Sequence, residues 1–367
     1  SAKKDLQKQI PFLQGYQEIV LFFDNDEAGR QAVESASGIL PAGRVKIARL
    51  DAYKDASDAL QAGDADAVRK AIWDAKPYTP DGIVEGKDLL ELVTQPTKDY
   101  DHLYPFDGLN KMVQGIRYGE LTTLTAGTGS GKSSLVRALA VDLLKKGEKV
   151  GYLALEESNK RSALGLMSNA RGKAYHIGEH GQEELTDAFN DTIANWNLYL
   201  FDGFGSFDPD VIYNRIEYLA SGLECRIIFL DHLSILLSGL DGDERRMIDT
   251  TMTRLRSLVE RTGITLFLVS HLRRSSSDSN SHEEGGRVSL GQLRGSHSIS
   301  QISDSVIAME RDQQSEDANN ITTLRVLKNR YSGSTGVATR LTYDLSSCQF
   351  YETKNDEQPE FDPTEDF

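Results

Sequence analysis

Apolar residues recur along this chain mostly in short unbroken runs set between helical periodicities. Residues 18–23 and 45–50 read as strands, and 27 to about 40 as a helix between them. Lys54-Asp55 then leads into a helix over 65–75, so this first stretch alternates strand and helix, an α/β pattern. The turn-rich "KPYTPDG", residues 76–82, breaks the series and marks a domain boundary. Residues 87–93 follow as a short amphipathic helix, either a plain linker or an arm that packs on a neighbouring subunit.

A longer α/β series comes next. Residues 121–125 are expected as a strand and 133–146 as a helix, with Leu135, Val136, Leu139 and Leu143 on one face and Gly147 placed to end it. The runs at 150–155, 197–201, 226–230 and 265–269 lack alternation, which suits parallel strands buried on both faces. Between the last two, Ile248, Met252, Leu255 and Val259 mark one face of a helix that Gly263 would terminate. No internal repeat is visible. "RRSSSDSNSHEEGGR", residues 273–287, is poor in apolar residues and reads as a mobile loop.

At 367 residues the chain is long enough for two compact domains, or one large and one partial. No apolar run approaches bilayer length and no signal peptide is expected ahead of the fold, so the chain reads as soluble. Two cysteines, Cys225 and Cys348, make neither a disulfide framework nor a zinc site, which fits a reducing, cytoplasm-like compartment. A net charge of −15 argues against coating duplex DNA with a broad basic face. Any nucleic-acid role therefore needs a small, focused site such as a pore or groove.

The sharpest chemical signal is "AGTGSGKSS", Ala126 to Ser134, set between an apolar strand and an amphipathic helix. Glycines at 127, 129 and 131 let backbone N–H groups, with Ser130 and Ser134, close around phosphate oxygens. Lys132 supplies charge and Ser133 can ligate Mg²⁺. Ala126 stands where a first glycine is common. The other parts of a phosphate-transfer site belong at other strand ends. Asp231 closes "RIIFLD", where a carboxylate can hold Mg²⁺ through water; the alternative is a cap for the next segment. Glu156 and Glu157 follow "VGYLAL", and Glu156, first past the strand, is preferred as the base that activates water. His271 closes "ITLFLVSH", with too few ligands nearby in sequence for a metal. It reads as a γ-phosphate sensor ahead of the loop, or as a structural histidine.

A second candidate lies near the start. "IVLFFDNDEAGR", residues 19–30, ends a strand on Asp24 and Asp26, read either as half of a metal site or as a helix cap.

Taken together, "GTGSGKSS", "LALEES", "IIFLDH", "LVSHL", "QLRGS" and "VLKNRYSGSTG" occur in the order seen in DnaB-like replicative helicases. The combination most resembles the bifunctional primase-helicases of T-seven-like phages and their mitochondrial relative Twinkle. "FFDNDEAGRQA" resembles the second half of a TOPRIM primase domain. The resemblance implies an α/β fold: a RecA-like P-loop NTPase core with a mainly parallel sheet, preceded by a partial α/β TOPRIM domain and a linker helix. The expected division is 1–79 for the TOPRIM part, 80–97 for the linker arm, 98–351 for the helicase domain and 352–367 for an acidic disordered tail.

The same resemblance implies a ring, a hexamer or heptamer, with nucleotide between subunits, driving 5′-to-3′ movement on single-stranded DNA and unwinding. Mg²⁺ with ATP or dTTP is the expected cofactor and substrate. Lys132, Ser133 and Asp231 would bind nucleotide and Mg²⁺, Glu156 would be the base, and His271 and Gln301 would sense the γ-phosphate. Arg330 in "KNRYSG", with Lys328 beside it, matches an arginine finger given to the neighbour's nucleotide. Arg311 and Tyr343 match the pair that sandwiches the base, although Tyr343 also reads as an ordinary strand aromatic. DNA contact is expected from Arg273 and Arg274, then Arg294 and Gly295. The first of these loops departs from the phage pattern, being rich in serine instead of lysine.

The tail from Glu352 holds seven acids and one Lys. It reads as a solubilising segment or, as in the phage relatives, a dock for the replicative DNA polymerase. The implied location is the cytoplasm of a phage-infected bacterial cell, or the mitochondrial matrix for a Twinkle relative. Asp24 and Asp26 would need a glutamate from an earlier strand and an upstream zinc module to prime, so this stretch is expected to be unable to prime alone. The rival reading is a RecA-like recombinase or nucleotide-switched assembly that does not unwind DNA.

Overall fold

The computed structural model describes residues 2–50, 52–80, 83–95, 98–203, 208–237, 243–272, 285–293, 297–315 and 319–353. The chain divides into two compact units, Ser1–Thr97 and Lys98–Phe367.

In the first unit, strand β1 (Ile19–Leu21) runs parallel to β2 (Val45–Ile47), and β2 pairs antiparallel with β3 (Lys76–Pro77). The stretch expected as a turn thus supplies an edge strand. Pro77 is tolerated there because an edge position need not donate to the ladder. Three helices, Glu27–Ser37, Ala56–Gln61 and Ala65–Trp73, each start on an aspartate whose side chain accepts a first-turn N–H. The caps are Asp26, Asp55 and Asp64. The 27–37 helix also presses on the end of β1. A Cβ on Gly29 would lie 1.9 Å from the Asp24 carbonyl oxygen, so that position admits only glycine. The short helix expected over 87–93 is a 3₁₀ turn, Gly86–Leu89, running into an α-helix, Leu90–Thr94, with Leu90 and Val93 exposed.

The second unit is built on one nine-stranded sheet. Its strands are β4 (Leu121–Ala126), β5 (Val150–Ala154), β6 (Leu198–Leu200), β7 (Ile227–Asp231), β8 (Thr265–His271), β9 (Ser305–Glu310), β10 (Ile321–Asn329), β11 (Gly336–Asp344) and β12 (Gln349–Glu352). The spatial order is β12-β11-β10-β9-β4-β8-β7-β5-β6. From β9 to β6 every pairing is parallel, and from β9 to β12 every pairing is antiparallel.

Both faces of the parallel part are covered, which explains why its strands show no polar alternation. Phe229, Phe267, Leu124 and Ile307 pack with Leu135, Leu139 and Leu143 of the helix Lys132–Lys145. Their strand neighbours Leu230, Leu268, Leu121 and Val306 pack on the opposite face with Ile212, Ile216, Ile248, Met252, Leu255 and Val259. These last residues come from the helices Pro209–Glu217 and Glu244–Thr262. The second of those helices closes on Gly263, whose φ of +68° is left-handed and whose N–H returns to the Val259 carbonyl at 2.8 Å. Among the described residues no helix is long and apolar enough to cross a membrane.

Candidate nucleotide site

Strand register decides which chemistry meets. Ala126 at the end of β4 pairs with His271 at the end of β8, and Ala154 at the end of β5 pairs with Asp231 at the end of β7. The phosphate loop, His271, Asp231 and Glu156 therefore leave the sheet along one edge. The carboxyl edge of a parallel sheet is where α/β folds place their ligands.

The loop itself owes its shape to glycine. Gly129 and Gly131 have φ of +74° and +92°, conformations that a side chain disfavours. Ser130 Oγ donates to the Gly127 carbonyl at 2.8 Å, and Lys132 Nζ donates to the carbonyls of Ala126 (3.0 Å) and Gly127 (2.8 Å). Burial pulls the Lys132 ammonium down to about 8, while Asp231 and Glu156 oppose that shift. A phosphate would take over the role of these carboxylates.

Ser133 Oγ donates to Asp231 Oδ2 at 3.2 Å. Burial raises the Asp231 carboxyl above its usual range, against the pull of this hydrogen bond. A hydroxyl and a carboxylate held this close are hard oxygen donors that fit Mg²⁺, with its remaining positions left for water and phosphate.

The two glutamates after β5 part company. Glu157 Oε2 pairs with Arg137 at 2.6 Å and its Oε1 accepts from Ser162 Oγ at 2.8 Å, so it belongs to the packing between two helices. Glu156 is exposed and faces the strand-end cluster, where its Oε1 lies 2.6 Å from His232 Nε2. The His232 and His271 rings meet edge-on, with centroids 4.1 Å apart. Glu156, His232 and His271 thus offer ligand atoms within 4.8 Å of one another, the one such grouping among the described residues. The groups that approach His271 thus come from other strands and not from its own stretch of sequence.

Arg311 and Tyr343 emerge on the same edge. The Arg311 side chain bonds the Asn319 carbonyl, while the Tyr343 backbone N–H bonds the Asn320 carbonyl at 2.8 Å. Burial pushes the Tyr343 phenol up, against a hydrogen bond with Ser134, and its ring lies 4.8 Å from that of Phe350. Gln313, which no motif singled out, donates to the Thr128 carbonyl at 2.7 Å and covers Gly129. Only its place two residues past Arg311 hinted at this.

Lys328, Arg330 and Gln301 are elsewhere. Asn329 pairs with Ser305, and Ser305 with Thr122 near the start of β4. About 13 Å of strand, at ~3.3 Å per residue, separates that level from Ala126. Lys328 Nζ donates to the carbonyls of Ser300, Gln301 and Ser303 at 2.7–2.8 Å. Arg330 donates to Asp304 Oδ1 at 2.9 Å and to the Gln301 carbonyl at 3.0 Å, with its side chain half exposed. His271 and Gln301, paired as sensors in the sequence reading, are thus not brought together within one chain.

Asp26 caps its helix through Oδ1 to the Gly29 N–H at 2.8 Å, and its Oδ2 lies 3.8 Å from Lys54 Nζ. Asp24 is exposed, and among the described residues the pair gathers no third ligand. The cap is what the structure assigns to Asp26. Arg273, Arg274, Arg294 and Gly295 lie outside the described residues, as does the tail from residue 354. Next to the first four, Leu272 and Leu293 form an antiparallel bridge directly after His271.

Residues 104–352 match the DnaB-like helicase C terminal domain, and residues 4–60 match a Toprim-like domain. A DNA helicase/primase of Enterobacteria phage T3 is 36% identical over 358 residues, covering 94% of this chain and 62% of the relative. A probable plasmid replicative DNA helicase of Chlamydia muridarum is 25% identical over 239 residues, covering 63% of this chain and 50% of the relative. A Twinkle homolog protein, chloroplastic/mitochondrial, of Arabidopsis thaliana is 23% identical, covering 92% of this chain and 50% of the relative. This chain therefore spans half to just under two thirds of these relatives. Among solved structures, an isolated ATPase domain superposes with a TM-score of 0.61 at 19% identity, over 75% of this chain and 100% of that one. A DnaB-like replicative helicase solved in a study of its interactions with primase gives 0.59 at 19% identity, over 80% of this chain and 71% of that one. At that identity the two superpositions speak for the fold. The sequence matches and the strand-end site agree with it: the chain belongs to the DnaB-like helicase family through its C-terminal domain, with a Toprim-like segment ahead of that domain.

Proposed function

We propose that this chain is the motor of a ring-shaped DNA helicase. It hydrolyses a nucleoside triphosphate, ATP or dTTP, between copies of itself, and moves 5′-to-3′ along single-stranded DNA to unwind the duplex. The observation that carries this reading is the placement of Arg330. It sits at the opposite end of the sheet from Lys132, about 13 Å of strand away before the loop is counted. An arginine finger there serves a nucleotide held by another copy, which makes hydrolysis a property of the assembly.

In this reading the glycine-rich loop and Lys132 hold the phosphates. Ser133 and Asp231 hold Mg²⁺, which supplies charge neutralisation on the phosphate oxygens. Glu156 takes a proton from the attacking water, and Arg330 from a neighbouring copy meets the charge that develops on the γ-phosphoryl group. Arg311 and Tyr343 flank the base. Arg273, Arg274, Arg294 and Gly295 contact DNA in a central channel, on segments that leave from the Leu272–Leu293 bridge beside His271. That bridge is a short path from nucleotide state to DNA grip. A ring of six or seven copies, a polymerase bound by the acidic tail, and action in the cytoplasm of a phage-infected cell complete the proposal. The activity is assigned to the second unit. The carboxylates Asp24 and Asp26 carry no part of it.

Mixing tests the interface directly. Lys132→Ala and Arg330→Ala chains are each expected to be inactive alone. Mixed assemblies contain interfaces that join an intact loop to an intact arginine, and should recover DNA-stimulated hydrolysis and strand displacement. No recovery on mixing, or full activity of Arg330→Ala alone, would refute the shared site. Hydrolysis without strand displacement would favour the rival assembly ATPase.

A further inference from the structure

His232 is 4% exposed, follows the proposed Mg²⁺ ligand Asp231, and touches the proposed base. Its protonation pattern is readable from geometry. The Ser234 backbone N–H donates to His232 Nδ1 at 3.1 Å. A backbone N–H is always a donor, so Nδ1 carries no proton and the single ring proton is on Nε2. Nε2 lies 2.6 Å from Glu156 Oε1, so the hydrogen bond runs from the ring to the carboxylate.

We infer that His232 is a positioning residue for Glu156: its Nε2–H holds Oε1 in place and leaves Oε2 to receive the proton of the attacking water. The inference rests on the reading of Glu156 as the base. The Glu156 side chain is 57% exposed, so without this tether it would sample several rotamers. A hydrogen bond to a carboxylate is short and strong, which suits a tether. The His271 ring, set edge-on at 88° to that of His232, fixes the plane in which the tether points.

The same three side chains resemble a zinc site, two histidines and a glutamate with ligand atoms within 4.8 Å. The tautomer argues against that use. Metal on Nε2 requires the ring proton on Nδ1, where it would face the Ser234 N–H, two donors pointed at each other. Holding the base accounts for both hydrogen bonds, and holding a metal breaks one.

Two amide substitutions separate the ring nitrogens, because glutamine places an N–H₂ near the Nε2 position and asparagine near Nδ1. With single-stranded DNA and saturating Mg²⁺, His232→Gln is expected to lower kcat for nucleotide hydrolysis by about fivefold, the cost of a poorer hydrogen bond. His232→Asn is expected to lower it by about 100-fold, the cost of a misplaced base. KM and nucleotide affinity should hold in both. Equal losses in the two variants, or a loss confined to KM, would overturn the inference. So would one Zn²⁺ bound per chain in the wild type and lost in His232→Asn. Glu156→Gln serves as the separate control. If it hydrolyses normally, the base assignment fails, whatever the His232 variants do.

Discussion

Arg330 donates to the carboxylate of Asp304 at 2.9 Å, and the other oxygen of that carboxylate takes Arg256 and the Leu121 N–H. Asp304, 7% exposed, thus anchors the proposed finger to the start of β4. Removing the anchor and removing the finger should have different consequences. Asp304→Ala leaves the buried Leu121 N–H without its acceptor and takes from Arg256 one of its two carboxylate partners, and should cost about 3 kcal/mol in urea unfolding. Arg330→Ala removes a half-exposed side chain and should cost less than about 1 kcal/mol, yet abolish DNA-stimulated hydrolysis.

Adjacent glutamates should separate in the same way. Glu157→Ala orphans the largely buried Arg137 and should lower stability by about 3 kcal/mol. Glu156→Gln changes an exposed side chain and keeps an oxygen acceptor for His232, so it should leave the melting temperature unchanged while lowering kcat by about 100-fold or more. Thermal melts beside steady-state hydrolysis check both. A melt that falls for Glu156→Gln but not for Glu157→Ala would reverse the assignment.

Gln313 makes a more modest claim. Its hydrogen bond to the Thr128 carbonyl braces the loop from outside. Gln313→Ala should weaken nucleotide binding about fivefold, in line with one neutral hydrogen bond. Titration with a fluorescent nucleotide reads this. Gly129→Ala, which brings both a disfavoured φ and a Cβ 2.8 Å from the Gln313 side chain, should weaken binding further.

Both thiols should be silent in the folded protein. Cys225 is fully buried and burial pushes its thiol up to about 11; Cys348 is also buried and shifted upward. At pH 8 neither presents an accessible thiolate. A colorimetric thiol reagent should titrate no groups in native protein and two after denaturation in guanidinium.

Much of the candidate site was readable in advance because its motifs are contiguous. Two glycines with positive φ, a lysine and a hydroxyl occupy neighbouring positions, so one turn of chain carries the whole phosphate loop. The strand ends Asp231, Glu156 and His271 were likewise visible as the points where apolar runs stop. Residues that work through partners elsewhere in the chain were not visible. His232 meets a glutamate 76 positions away, and Asp304 collects an arginine, Arg256, 48 positions before it. Neither leaves a local trace. Lys76–Pro77 reads as a turn because its two residues become a strand only by pairing with β2.

The sequence by itself determined the α/β class, the phosphate loop and most strand and helix positions, because hydrophobic periodicity and glycine dihedrals act over a few residues. Only the tertiary structure decided that β4 lies between β8 and β9, and that Arg330 stands at the far end of the sheet from Lys132. Strand order and register arise from burying both faces of the sheet at once, a condition on the whole chain that no single stretch can express.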